Sequence, residues 1–253
     1  MAESLGVGSE YRSVRDRLVR LRVNTGNRLS DVESYPERRE RIDNDHLHLL
    51  LKLHLPVDAN CIDVGAHEGA FLADMVAAAP EGWHIAYEPL PEFAALLRQR
   101  FPGVDVREAA LSCTNGNATF SRVRNIPSMS GLRRARTDFY PTSPEFENIS
   151  VQTERLDDHL PAEFVPTLIK VDVEGAQMLV FEGARRTITT YRPTVVFEHG
   201  LLSAYDYGFS SDDVFSFLVR DSRLRIFDLD GNGPYSSNAF AGERHHWQWV
   251  ARR

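Results

Sequence analysis

A Rossmann-like α/β fold, a mainly parallel sheet with helices on both faces, is what this sequence predicts, and three observations carry the prediction. Short apolar runs alternate with segments of helical periodicity. The first run, Cys61-Ile-Asp-Val64, leads directly into a glycine-bearing turn. Acidic or imidazole side chains, Glu88, Asp172, Glu198 and His199, stand where later runs end.

Taken in order, residues 1–38 read as an N-terminal arm or helix. Arg12, Arg15, Arg17, Arg20, Arg22 and Arg28 crowd it, but Glu3, Glu10, Asp16 and Asp31 interrupt them, which suits a solvated segment and not a transit peptide. The main domain is expected over 39–253. It opens with an amphipathic helix from Arg39 to Leu55, in which Leu47, Leu50, Leu51 and Leu55 recur at helical spacing before Pro56 ends it. The spacing of His46, His48 and His54 does not put them on one face, so solvated or capping histidines are expected, not a metal site.

Strand Cys61–Val64, helix Phe71–Ala79, strand His84–Tyr87, helix Pro91–Phe101 and strand Val104–Val106 then give a βαβαβ order, with proline in the first turn of the second helix. The order resumes with strand Thr167–Val171, one helix from Ala176 to about Thr190, and strand Thr194–Phe197. A helix near Asp212–Val219 and strands near Arg225–Leu229 and Trp247–Ala251 complete it. Between the halves, Gly116–Arg122 and Ile149–Arg155 read as strands flanking a long connection, 123–148. That connection holds Phe139, Tyr140, Arg133, Arg134 and Arg136, and a substrate lid is the expectation.

Composition narrows the function. With 253 residues and 42% hydrophobic content the chain can bury a sizeable core, and a net charge of −7 disfavours nucleic-acid gripping as its main task. No apolar run reaches the ~18 residues of a membrane span, and no basic-then-apolar leader is visible, so a cytoplasmic location is expected. Cys61 and Cys113 are expected as reduced thiols. The sequence is compatible with a homodimer.

Three motifs carry chemistry. In Asp63-Val-Gly65-Ala66-His-Glu-Gly69 the glycines allow a sharp turn and close ligand approach at a helix N-terminus, as in nucleotide crevices. His67 stands where a dinucleotide fingerprint needs its middle glycine, so a cofactor without a pyrophosphate fits better. Glu88, about 25 residues after Asp63, can accept from both ribose hydroxyls, and Pro89 turns the chain away. In Asp172-Val-Glu174-Gly175 two acids at the sheet edge suggest a nearby cation, either a cofactor sulfonium or a divalent metal such as Mg2+. His199 is the candidate general base, with Glu198 as its orienting partner or as a metal ligand. Asp228-Leu-Asp230-Gly-Asn232-Gly233 starts like a calcium loop, but Ala239 occupies its last ligand position and a glycine-rich turn is the better account.

On Ile62–Gly69, Tyr87-Glu-Pro89, Ala109–Ser112, Leu168–Gly175, Phe181–Ala184 and Arg192-Pro193 followed by Glu198, the chain resembles the FkbM family of S-adenosylmethionine-dependent methyltransferases over roughly 58–200. The resemblance implies a seven-stranded class I methyltransferase fold and O-methylation, often of a sugar or polyketide hydroxyl. It further implies that Asp63, Gly65 and Gly69 hold the methionine end, Glu88 the ribose and Ala110 the adenine, with Ala66 and Pro89 in the same binding motifs. Family members frequently carry an acid where this chain has Gln177 and an asparagine where it has His67.

The expected reaction is an in-line displacement in which a small-molecule hydroxyl attacks the cofactor methyl, aided by His199 or by a divalent ion near Asp172 and Glu198. A nicotinamide-dependent oxidoreductase shares the fold but lacks support at His67. RNA or protein methylation is the rival within the class, and Arg133, Arg134 and Arg136 could instead meet a phosphorylated or carboxylated small molecule.

Overall fold

The structure, a computed structural model, describes residues 35–134, 143–200 and 207–253. Most of the N-terminal arm, and the part of the long connection that holds Arg136, Phe139 and Tyr140, lie outside the described residues. The chain divides into two units, Met1–Asp45 and His46–Arg253. In the first unit Arg39 and Asp43 pair one helical turn apart at 2.6 Å.

Helix α1 (Tyr35–His54) buries Leu47 and Leu51 in the second unit, as its leucine spacing predicts. There follow β1 (Cys61–Val64), α2 (Ala70–Ala78), β2 (His84–Tyr87), α3 (Pro91–Arg100) and β3 (Asp105–Arg107). Next come β4 (Ala110–Leu111), β5 (Gly116–Val123), β6 (Phe146–Glu154), α4 (Leu156–His159) and β7 (Leu168–Val171). The chain continues through α5 (Gln177–Gly183), α6 (Arg185–Tyr191), β8 (Thr194–Glu198), α7 (Ser211–Phe215), β9 (Arg225–Asp228), α8 (Ser237–Gly242) and β10 (Gln248–Arg252).

Among the described residues seven strands form the main sheet in the order β3-β2-β1-β7-β8-β10-β9. The first five are parallel neighbours and β10 runs antiparallel to both β8 and β9. This is the seven-stranded class I arrangement that the family resemblance implies. Chain direction across the sheet reverses between β1, which leads outward to β2, and β7, and ligands of open α/β sheets bind beyond the carboxyl ends of such strands.

Alternating side chains feed two cores. Ile62, Val64, Ile85, Tyr87, Ile169, Val171, Val195 and Phe197 point into one, with Phe217, Phe240 and Trp249. Cys61, Ala86, Leu168 and Val196 point into the other, with Leu47, Leu51, Leu72, Met75 and Leu97. Burial pushes the Cys61 thiol up to about 12, with Asp63 adding to the rise, so it is an inert core residue. Both cysteines are free.

Two departures from the sequence expectation bear on the site. The single helix expected from Ala176 to Thr190 is two helices broken at Ala184. At the break a Cβ on Gly183 would lie 2.0 Å from Ser112 O, so the chain there passes directly against the strand-end backbone. The two strands flanking the long connection pair antiparallel as expected, but β4 joins them in a separate three-stranded sheet, β4-β6-β5. Phe120 and Val151 on one face of that sheet form a small core with Leu90 and Ala110.

Candidate active site

Strand register sets the pivot of the site. Asp63 on β1 stands directly opposite Lys170 on β7. Lys170 Nζ lies 3.2 Å from Asp63 Oδ1 and 3.5 Å from Asp172 Oδ2, and it donates to Gly65 O at 2.9 Å. Asp63 is 0% exposed, so its charge depends on this ammonium. Burial raises the Asp63 carboxyl above its ordinary range while Lys170 pulls it back. Burial also opposes the charge on Lys170, but Asp63 and Asp172 outweigh it and hold the amine protonated.

Lys170 was not among the residues singled out from sequence. A charged side chain between Ile169 and Val171 in a buried parallel strand must find a partner, and that is the signal that could have revealed it.

The glycine turn brings the exits of β1 and β7 into contact. Gly65 has φ +77°, and a Cβ there would lie 1.9 Å from Asp172 O. Gly65 and Ala66 both donate their N–H to Tyr87 O, at 3.0 and 3.2 Å, and His67 N donates to Glu88 Oε2 at 2.8 Å, which ties the turn to the end of β2. Of the four non-glycine residues at left-handed φ among the described residues, two lie one in each loop at the crevice, His67 at +48° and Glu174 at +51°. Such strain survives only where surroundings enforce it, and it collects at binding sites. Asparagine, the residue family members frequently carry at the position of His67, tolerates this conformation better.

Glu88, 4% exposed, accepts a second bond from Leu90 N at 2.8 Å. Burial pushes it up to about 7 against the pull of these two N–H donors. A carboxylate has about four acceptor sites, so the two bonds leave capacity for ribose hydroxyls. Pro89 follows in the turn, and Ala110 packs with Leu90 beside it. Gly69, at φ +80°, closes the turn against Leu97 and Phe101.

Carboxyl oxygens of Asp172, Glu174 and Glu198 lie within 4.8 Å of one another. Three carboxylates this close cannot all ionise without a cation. Burial, then Asp172, pushes Glu174 up to about 8. The same causes, with Glu174 added, drive Glu198 well above the usual carboxylate range. Asp172 is opposed by burial yet held low by Lys170 and by a hydrogen bond from Glu198.

Side-chain alternation separates His199 from this cluster. Glu198 shares the parity of Val196, whereas His199 shares that of Val195 and Phe197 and enters the opposite core, stacked on Phe240 at 5.1 Å. The orienting partner expected for it, Glu198, is therefore replaced. Gln177 Nε2 lies 2.9 Å from His199 Nδ1, and Ser211 Oγ lies 2.8 Å from His199 Nε2. The amide donates to Nδ1, so Nε2 carries the proton and donates to Ser211. Burial alone pushes the imidazole down to about 4, which keeps it neutral.

The long connection reaches the cluster through its described part. A Cβ on Gly131 would lie 3.5 Å from Glu174 Cβ, and Arg133 N donates to the Tyr207 hydroxyl at 3.0 Å. Elsewhere, His46 and His48 are not merely solvated: each meets a carboxylate, Asp230 at 3.3 Å and Asp74 at 3.1 Å. Asp228 accepts from Asn232 N, Asn232 Nδ2 and the Tyr235 hydroxyl, each at 2.8 Å, which makes the calcium-like stretch a turn. No described helix is long and apolar enough to cross a membrane.

Residues 63–226 match the family model described as methyltransferase FkbM domain. No curated protein matches the chain. Among solved structures, the chain is similar to a methyltransferase FkbM from Methylobacillus flagellatus (16% identity, TM-score 0.49), covering 79% of this chain and 45% of that one. It therefore spans less than half of that protein's length. It is also similar to a precorrin-6y C5,15-methyltransferase from Geobacter metallireducens (14% identity, 83% and 86% covered, TM-score 0.41). A TehB-like SAM-dependent methyltransferase from Corynebacterium glutamicum is similar at 14% identity, with 96% of each chain covered and a TM-score of 0.42.

Proposed function

Because the chain belongs to the methyltransferase FkbM domain family, we propose that it methylates a hydroxyl oxygen of a small molecule, of the sugar, glycoside or polyketide kind, using S-adenosylmethionine. The observation that carries this is the convergence of Asp63, Glu88, Asp172 and Glu198 at one edge of the sheet around the largely buried Lys170.

The residues present fit the cofactor. Gly65 lets the turn after β1 pack directly on the Asp172 backbone and leave the strand edge at left-handed φ, and Glu88 keeps acceptor capacity at the end of β2. Asp63, Ala66 and Gly69 support this turn, while Pro89 and Ala110 flank Glu88 on the side proposed for the adenine. When bound, S-adenosylmethionine supplies an electrophilic methyl group on a positively charged sulfur. Asp172, kept ionised by Lys170, would offset that charge, and fixed placement of the acceptor can lower the barrier by ~7 to 11 kcal/mol.

Proton removal is assigned to the carboxylate cluster over His199. Both nitrogens of His199 are engaged and its imidazole is held down at about 4, so it positions Gln177 and Ser211. Asp172, Glu174 and Glu198 form an all-oxygen donor set suited to a divalent cation such as Mg2+, which would make an acceptor hydroxyl more acidic.

Calorimetry with adenosylhomocysteine on the full chain tests the cofactor site. Binding to the native protein, weakened at least tenfold by Glu88→Ala, is expected; absence of binding to the native chain overturns the proposal. Transfer of labelled methyl to hydroxylated small molecules, assayed with chelator and again after magnesium is restored, tests the cation. Turnover that chelation leaves untouched removes the metal.

A further inference from the structure

The hairpin of β5 and β6 carries a cavity of about 310 Å3 whose lining includes none of the residues proposed for the cofactor and none of the carboxylate cluster. Its lining is Thr119, Ser121, Leu132, Arg134, Phe146 and Asn148. Register explains the set: Ser121 stands opposite Asn148, and Thr119 and Phe146 fall on the same face two residues away. Phe120 and Ile149, on the other face, go to the small core. The chain at 130–134 folds back over the hairpin, with Gly131 and Ser121 exchanging backbone hydrogen bonds at 2.8 and 3.2 Å.

Three features point to a ligand. Ser121 is 5% exposed, yet its Oγ has no hydrogen-bond partner among the described residues. Buried hydroxyls are almost always satisfied, so an unmet one lining a cavity marks a contact to be made. The Arg134 guanidinium lies 4.0 Å from the centroid of the Phe146 ring and, among the described residues, pairs with no carboxylate. Stacking holds the planar fork in place while its N–H edge stays free to bind. The lining offers the donors of Arg134, Ser121, Thr119 and Asn148 and, among the described residues, contains no acid. The cavity also adjoins the carboxylate cluster, because the bridge partner of Ser121, Gly131, sits against Glu174.

We propose that this cavity anchors the methyl acceptor by an oxyanion, a carboxylate or phosphate group of a small molecule, an assignment that rests on the methyltransferase reading. Guanidinium and hydroxyl donors bind the anion while Leu132 and Phe146 wall the apolar part. The hydroxyl to be methylated then lies toward Glu174, and a neutral acceptor lacks the anchor.

The test is the rate at which phenylglyoxal modifies Arg134 in the full chain, read by peptide mass spectrometry, with Arg98 as the internal reference. Millimolar sodium phosphate or sodium acetate should slow modification of Arg134 at least fivefold relative to sodium chloride of equal ionic strength. Glucose should not, and Arg98 should react equally throughout. Protection by phosphate alone or by acetate alone identifies the oxyanion. Ser121→Ala should reduce the protection at least threefold while adenosylhomocysteine binding persists. Equal Arg134 rates in every solution overturn the subsite; if adenosylhomocysteine still binds, the methyltransferase reading stands without it. Protection of Arg134 in a chain that binds no adenosylhomocysteine overturns that reading and the acceptor role together.

Discussion

Replacing Lys170 with methionine removes the cation from the centre of the site while keeping most of its apolar stem. Asp63 is 0% exposed and has this ammonium 3.2 Å away, so the variant leaves a buried carboxylate uncompensated. Breaking a buried pair on one side costs about 3 to 5 kcal/mol, whereas replacing both partners by apolar groups is often neutral. Lys170→Met is therefore expected to lose about 3 to 5 kcal/mol, and Lys170→Met with Asp63→Leu to return to within about 1 kcal/mol of the native chain. Urea unfolding followed by tryptophan fluorescence reads both values. Because the pair is buried, the loss should persist at high salt. Burial already raises the Asp63 carboxyl, and it rises further without Lys170. The folded single variant then binds a proton more tightly than the unfolded chain, so its deficit narrows as pH falls and widens as pH rises through the folded value. A loss below about 1 kcal/mol, or single losses that simply add in the double variant, would refute the buried-pair account.

Gly65→Ala places a Cβ 1.9 Å from Asp172 O at φ +77°, where the neighbour is backbone and cannot give. A stability loss of at least ~2 kcal/mol and loss of adenosylhomocysteine binding are expected, and a variant that binds normally contradicts the close approach of β1 and β7. His199 is held at about 4 against its ordinary 6.5, so its contribution is fully present above 6.5 and disappears as pH falls through 4, about 3 kcal/mol in all. Urea midpoints across that window should fall more steeply for the native chain than for His199→Gln. A His199 imidazole titrating near 6.5 by NMR removes the cause.

Much of the fold was legible because its strands are short, mostly apolar runs punctuated by glycine and proline. Cys61–Val64, His84–Tyr87 and Leu168–Val171 stand out against the helical spacing around them. The two-residue strand β4 was not legible, since two residues carry no period. Nor was the break at Ala184, which follows from Gly183 touching the backbone of Ser112, a contact between segments distant in sequence. In the site, Asp63, Glu88, Asp172 and Glu198 could be placed at strand ends from their positions alone. The separation of His199 from Glu198 was implicit in the two-residue alternation of the strand, but its partners, Gln177 and Ser211, come from other elements.

By itself the sequence determined which side chains reach the carboxyl edge of the sheet, because strand length and the glycine turn are local properties of the chain. Only tertiary structure decided which of them meet. Asp63 and Lys170 are joined by the register of β1 on β7, and Glu174 is brought to Asp172 and Glu198 by a strained loop. Pairing of charges depends on distances of a few ångströms between segments far apart in sequence, and packing of the whole sheet sets those distances.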